Sequence, residues 1–148
     1  ALKKLVHEQC LHLLEVKILE CRKNMDRYQD AANSETKSSA GDKYETSRSM
    51  MHAEREKAAI QLSNYLKLKP LLAGIEPALL HETISTGSLV NTNKGWFYLS
   101  VPLGAMEIQD EQIMAISAAS PIGKMLFGKK AGEKFTFNKV NYTISKVF

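Results

Sequence analysis

Asp42 and Glu45 are the two side chains in this sequence best spaced to act together. An i, i+3 separation at the start of a helix sets both carboxylates on the same side, close enough to serve one site. The same two residues also have the form of a capping box, in which the aspartate accepts from the third residue's amide and the glutamate reaches back. Both readings stand, since one residue can do both. Glu35, on the far side of the same polar stretch, reads as a solvated loop acid. His7, Cys10 and His12 carry ligand atoms, but helical spacing spreads them around the axis, and no metal site is expected there. Cys10 and Cys21 lie 11 residues apart. On one helix that is about 16 Å, well beyond the roughly 7 Å between Cα atoms that a disulfide tolerates. They read as small core-facing residues. Trp96 sits in a strand-like run, where an aromatic is expected to pack in the core rather than serve as a ligand platform.

The elements that must position these residues fall into two halves with different patterns. Residues 1–69 contain no proline, and their single glycine is Gly41. Leu11, Leu14, Ile18, Cys21, Met25, Tyr28 and Ala32 recur in steps of three and four, the pattern of a coiled-coil seam. From Arg48 onward a second helical stretch carries Met51, Ala58, Leu62 and Tyr65 at compatible spacing, with Glu54 and Arg55 interrupting the stripe. Between them, residues 33–42 are polar and rich in turn formers. Two seams joined by a short polar break predict an antiparallel helical hairpin. The first arm, about 33 residues, would run roughly 50 Å. Such a hairpin exposes much surface for each buried side chain, so its length reads as serving reach.

Pro70 predicts a break, because proline disfavours helix for the residue before it and lacks a donor. Beyond it the runs are short and strand-like. Residues 94–101 alternate Trp96, Tyr98 and Ser100 against Phe97, Leu99 and Val101. Residues 113–116 read as a buried strand, and 134–137 and 142–148 as strands flanking a turn at 138–141. Ser120-Pro121 before residues 122–127 reads as a helix start, with Gly128 at its end. The expectation is an α+β chain: an antiparallel coiled-coil hairpin over 1–69 with an acidic tip near 35–45, then a small antiparallel sheet domain with one short helix over 70–148.

Composition narrows the classes. The chain has 148 residues, 44% of them apolar and 24% charged, which is ordinary for a soluble protein. No apolar run approaches the roughly 20 residues that span a bilayer, and the start lacks the order of a secretory signal. A cytoplasmic, monomeric protein without a membrane partner is expected. There are 20 Lys and Arg against 16 Asp and Glu, and neither half carries the dense basic stripe of a protein that binds duplex nucleic acid alone. The charge suits weak contact with RNA or DNA held by something else.

One stretch is more specific. Ser120-Pro121-Ile122-Gly123-Lys124-Met125-Leu126-Phe127-Gly128-Lys129-Lys130-Ala131-Gly132-Glu133 resembles the C-terminal signature of the Gre transcription elongation factors. In that family a serine-proline opens a helix, a Gly-Lys ends it, and a Gly-acid turn leads into the last strands. Gre factors also carry a Gly-Asp-x-x-Glu element at the hairpin tip, soon followed by His-Ala. Here Gly41-Asp42-Lys43-Tyr44-Glu45 precedes His52-Ala53. The family commonly has Leu-Ser between the acids and Asn after the second; this chain has Lys43, Tyr44 and Thr46 there. The resemblance covers nearly the whole chain and implies a coiled-coil hairpin followed by a domain similar to the FK506-binding fold.

The resemblance implies a bacterial RNA polymerase partner. The hairpin would enter the polymerase secondary channel and stimulate cleavage of nascent RNA extruded by backtracking. Asp42 and Glu45 would supply oxygen ligands for a second Mg²⁺ that the polymerase alone holds weakly, in a two-metal hydrolysis. The protein would then complete another protein's active site rather than be an enzyme alone. Lys37, Lys43, Arg48 and Arg55 would lie along RNA phosphates, making the interaction salt-sensitive. Two alternatives stay open: the same binding without cleavage, as an occluding regulator, and a peptidyl-prolyl isomerase with a helical arm. No clear apolar active-site lining supports the isomerase. Removing residues 1–69 would spare it while abolishing either polymerase activity.

Overall fold

The structure, a computed structural model, describes residues 2–34 and 42–148, with the side chains of 42–44 outside that description. Two long helices come first, α1 (Leu2–Ser34) and α2 (Asp42–Ala73). Six strands follow: β1 (Leu89–Thr92), β2 (Gly95–Leu99), β3 (Gly104–Ile108), β4 (Glu111–Ile116), β5 (Lys134–Phe137) and β6 (Val140–Val147). One short helix, α3 (Pro121–Leu126), precedes β5. The α+β class is therefore as the sequence predicts. No helix among the described residues is long and apolar enough to cross a membrane.

The chain forms two compact units. One consists of Leu14–Leu68, the greater part of both long helices. Its seam buries Leu14, Ile18, Cys21 and Ala32 of α1 and Ala58 of α2. Met25, Tyr28, Met51, Leu62 and Tyr65 are half-buried. The Lys17 ammonium lies 5.9 Å from the centre of the Tyr65 ring, a cation–π contact between the two helices. The Lys57–Glu54 ion pair on α2 is exposed and contributes little.

The other unit joins Ala1–Leu13 to Lys69–Phe148. Its sheet has the order β3-β4-β2-β1-β6-β5. Neighbours pair antiparallel except β2 and β4, which run parallel with Trp96 opposite Ile113 and Leu99 opposite Ile116. The sheet is thus mixed. After β2 the chain passes through residues 100–103 to the far edge, and the β3–β4 hairpin then returns into the gap beside β2. Its turn, Gln109-Asp110, has φ of 53° and 63°, the primed geometry that matches strand twist. A core of Ile84, Val90, Phe97, Leu99, Ile116, Leu126, Phe135 and Ile144 lies on one face of the sheet with α3 against it. Burying each of the larger side chains stabilises by about 1.5–3 kcal/mol. Trp96 and Tyr98, alternating with Phe97 and Leu99 along β2, belong to the opposite face.

Several elements differ from the expectation. Helix α2 begins at Asp42, earlier than Arg48, and passes through Pro70 to Ala73. Proline removes only one donor, and the carbonyl four residues back belongs to Leu66, a residue 38% exposed, so water can serve it. The stripe of α1 runs Val6, Cys10, Leu14, Ile18, Cys21, and Leu11 lies off it, 39% exposed. The β5–β6 turn is tighter than residues 138–141: only Asn138 and Lys139 take positive φ, at 49° and 65°, and Val140 is already in β6.

Candidate functional site

Residue by residue, the acidic turn is only partly described. Backbone geometry places Asp42 and Glu45 in the opening turn of α2, three residues apart. Glu45 is exposed, and with Thr46, Ser49, Met50 and Ala53 it borders an open hollow of about 490 Å³ on one helix face. The side chain of Asp42 lies outside the described residues, as do Glu35, Lys37, Gly41 and the side chain of Lys43. Two of the four candidate cations are therefore visible. Arg48 is half-buried, and its Nε donates to His52 Nε2 at 3.4 Å. Arg55 is half-buried too, with a buried Nε that has no hydrogen-bond partner among the described residues. Among the described residues no group of three His, Cys, Asp or Glu side chains is arranged to hold a metal ion. Glu45 offers a hard oxygen donor of the kind Mg²⁺ takes, but the described residues do not make a metal cage by themselves.

The helix α3 is built as its sequence dictates. Ser120 Oγ accepts from the Gly123 amide at 3.1 Å and donates to the Ser117 carbonyl at 2.6 Å, while Pro121 takes the first helical position. A Cβ at Gly123 would collide with the Ser117 carbonyl oxygen. Gly128 follows the helix with φ +85°, a conformation that side chains resist. Lys129, beyond it, lies 5.8 Å from the Phe135 ring centre; Lys130 is exposed, and its backbone amide donates to Glu133 Oε2.

His7 and Cys10 turn out to serve the sheet. His7 Nδ1 lies 2.7 Å from the Tyr98 hydroxyl, with both residues buried. Burial pushes the Tyr98 phenol up, so it keeps its proton and can donate to the neutral ring. Burial also pushes the Cys10 thiol up to about 12, while the neighbouring Ser100 hydroxyl pulls it part of the way back without reaching a hydrogen-bonding alignment. His12 is exposed, so the three potential ligands do not converge.

Trp96 is not in the core. It is half-buried, its indole N–H donates to Glu111 Oε2 at 3.0 Å, and its ring stacks on Phe148 with centroids 6.0 Å apart. Beside it Trp96, Phe97, Met114, Ile122 and Tyr142 line a cleft of about 390 Å³. The apolar lining not evident in the sequence is therefore assembled by the fold, from β2, β4, β6 and α3, with Ala105 of β3 beside them. Lys3 also went unnoticed in the sequence: it is 4% exposed and donates to the backbone oxygens of Leu79 and Phe148 at 2.5 and 3.2 Å. A polar residue on the apolar stripe, three before Val6, was the available signal. Comparison with known protein families finds no family model that matches the chain, and a search of curated proteins finds no match either.

Proposed function

We propose that the protein binds bacterial RNA polymerase through its secondary channel and stimulates cleavage of backtracked nascent RNA, in the manner of a Gre factor. The observation that supports this most is the position of Asp42 and Glu45 in the first turn of α2, with the Glu45 carboxylate open to solvent. Helices that pack as a hairpin, followed by a sheet domain with a Ser120-capped α3, agree in general shape with a coiled-coil arm and an FK506-binding-like domain.

On this reading Asp42 and Glu45 together present oxygen donors to an Mg²⁺ shared with the polymerase, whose chemistry is to activate the attacking water and stabilise the leaving oxygen. The chain's own work is to carry the two carboxylates and hold them at i, i+3. Arg48 and Arg55 stand about one and three turns beyond Glu45 along α2, where phosphates of the extruded RNA would pass, with Lys43 between the two acids and Lys37 before them in sequence. The protein acts as a cytoplasmic monomer and is no enzyme alone.

Backtracked elongation complexes with 5′-labelled RNA test the reading. Shortened RNA with the wild type, lost with Asp42→Ala, Glu45→Ala, supports it. Slowed nucleotide addition without cleavage would replace it by channel occlusion, and absence of binding would sink both.

The apolar cleft by Trp96 and Tyr142 favours one other reading, the peptidyl-prolyl isomerase. Deleting residues 1–69 does not separate the two, because His7 and Lys3 pack with the sheet domain. The full chain should instead be assayed on a proline-containing peptide. The polymerase reading predicts no acceleration; acceleration lost on Tyr142→Ala would favour the isomerase.

A further inference from the structure

Strand β3 is an edge of the sheet, paired with β4 alone. Ile108 and Glu111 flank a two-residue turn, so they exchange hydrogen bonds, and by alternation so do Met106 with Ile113 and Gly104 with Ala115. Ala105 and Glu107, at the positions between, turn their N–H and C=O away from β4. Both residues are exposed, and neither makes a backbone hydrogen bond outside the sheet among the described residues. Edges are usually blunted by lysine, proline, a bulge or brevity. The β5 edge has four residues, starts at Lys134 and follows the Thr83–Lys130 bridge. In contrast, β3 has five residues, no lysine or proline, and an unbroken register.

The side chains of Ala105 and Glu107 share one face of the sheet. On that face Ala105 borders the cleft of about 390 Å³, beside Phe97, Met114, Ile122 and Tyr142. Alanine is the smallest side chain of that wall, so the cleft is widest toward the edge, and Met114 behind it is 39% exposed. Glu107 forms no ion pair among the described residues. Met106, buried on the other face, holds the strand in place.

An antiparallel neighbour places each of its side chains on the same face as the residue directly opposite. We propose that β3 accepts an extended segment of a partner protein as an added antiparallel strand. A large apolar side chain opposite Ala105 enters the cleft, and a lysine or arginine two residues before it meets Glu107. Backbone bonds to Ala105 and Glu107 hold the segment, while the cleft and the carboxylate select its sequence. A second copy pairing edge to edge would set Ala105 or Glu107 over the cleft, and neither fills it. The proposal goes beyond the cleavage reading and needs no polymerase.

Trp96, the sole tryptophan of the chain, lines the same cleft, so its emission reports binding to the intact protein. The probe is acetyl-Lys-Thr-Phe-Thr-amide, whose Phe falls opposite Ala105 when Lys falls opposite Glu107. A saturable change in emission is expected. Methylating the Phe nitrogen removes the N–H that donates to the Ala105 carbonyl and should weaken binding about tenfold. A peptide with Glu in place of Lys should bind about fivefold more weakly, and Glu107→Lys, at an exposed position, should reverse that preference. Ala105→Pro removes an outward N–H that the β3–β4 ladder does not use, and should weaken every peptide. No saturable change, indifference to N-methylation, or a charge preference unmoved by Glu107→Lys would overturn the proposal. Binding that survives N-methylation but is lost on Tyr142→Ala would overturn it in favour of the cleft alone. Emission that varies with protein concentration alone would overturn it in favour of a second copy of the chain.

Discussion

His7 Nδ1 lies 2.7 Å from the Tyr98 hydroxyl, joining the start of α1 to the middle of β2 across 91 positions in the chain. The rings meet edge to face, with centroids 6.1 Å apart. Both residues are buried, so removing either partner strands a polar group away from water. Tyr98→Phe should therefore destabilise by about 1–3 kcal/mol, read as a lower urea midpoint at unchanged slope. An unchanged midpoint would mean that the pair contributes nothing net.

The same pair sets a pH dependence. Burial is the main cause holding the His7 imidazole below its ordinary pKa, opposed by Glu76 and Glu8 and assisted by Lys3. His81 is also held down, by burial first and Lys3 second. Both imidazoles protonate near pH 6.5 when unfolded and only at lower pH when folded, so below that point the unfolded chain binds more protons. Stability is full above about pH 6.5 and is lost as pH falls through the folded values. Urea midpoints should drop from pH 7.5 to pH 5, and drop less for His7→Gln, His81→Gln; equal wild-type midpoints at the two pH values would refute the sign.

Cys10 should be inert. A shift from 9.0 to about 12 leaves about a thousandfold less thiolate at neutral pH. Burial raises Cys21 as well. Dithionitrobenzoate should find little reactive thiol in the native protein and both cysteines in guanidinium. Rapid labelling of the native chain would contradict the buried placement of Cys10.

The α3 turn tolerates little change. Gly123→Ala drives a methyl into the Ser117 carbonyl and should cost about 1–3 kcal/mol. Ser120→Ala removes the cap and should cost about 1 kcal/mol. Thermal melts check both, and Gly123→Ala melting like wild type would show that this backbone gives way easily.

Arg55 separates packing from a phosphate contact. Its Nε is buried without a hydrogen-bond partner among the described residues, so Arg55→Met should leave the hairpin as stable as before or more stable. If its terminal nitrogens meet RNA phosphate, the same substitution should flatten the salt dependence of elongation-complex binding by about one counterion. A large loss of stability with no change in salt slope would assign the residue to packing alone.

How much of this the sequence carries differs by element. Spacing in threes and fours revealed the helices, and Ser120-Pro121 with Gly128 revealed α3, because caps and turn residues act locally. The first 13 residues look like more hairpin, yet their buried stripe includes Lys3 and His7, whose partners, Leu79 and Tyr98, are distant in sequence. Such pairings have no local signal. Strands β1 and β3 were missed since Leu89–Thr92 is short and Gly104–Ile108 holds Gly, Ala and Glu, weak strand formers. The parallel β2–β4 pairing depends on where a returning hairpin inserts, which periodicity does not encode. Asp42 and Glu45 were legible as a pair through their spacing and the Gre-like motif around them; α2 begins at Asp42, while the Asp42 side chain lies outside the described residues.

The central claim is that the oxygens of Asp42 and Glu45 help hold Mg²⁺ at a polymerase active site. Cleavage of backtracked RNA should be titrated with Mg²⁺ for the wild type and for Asp42→Asn, Glu45→Gln, which keeps the shape of both side chains and removes their charge. The account predicts that the amide variant still binds the elongation complex but cleaves only at much higher Mg²⁺, or not at all. Cleavage by the amide variant at the same Mg²⁺ as the wild type would contradict it.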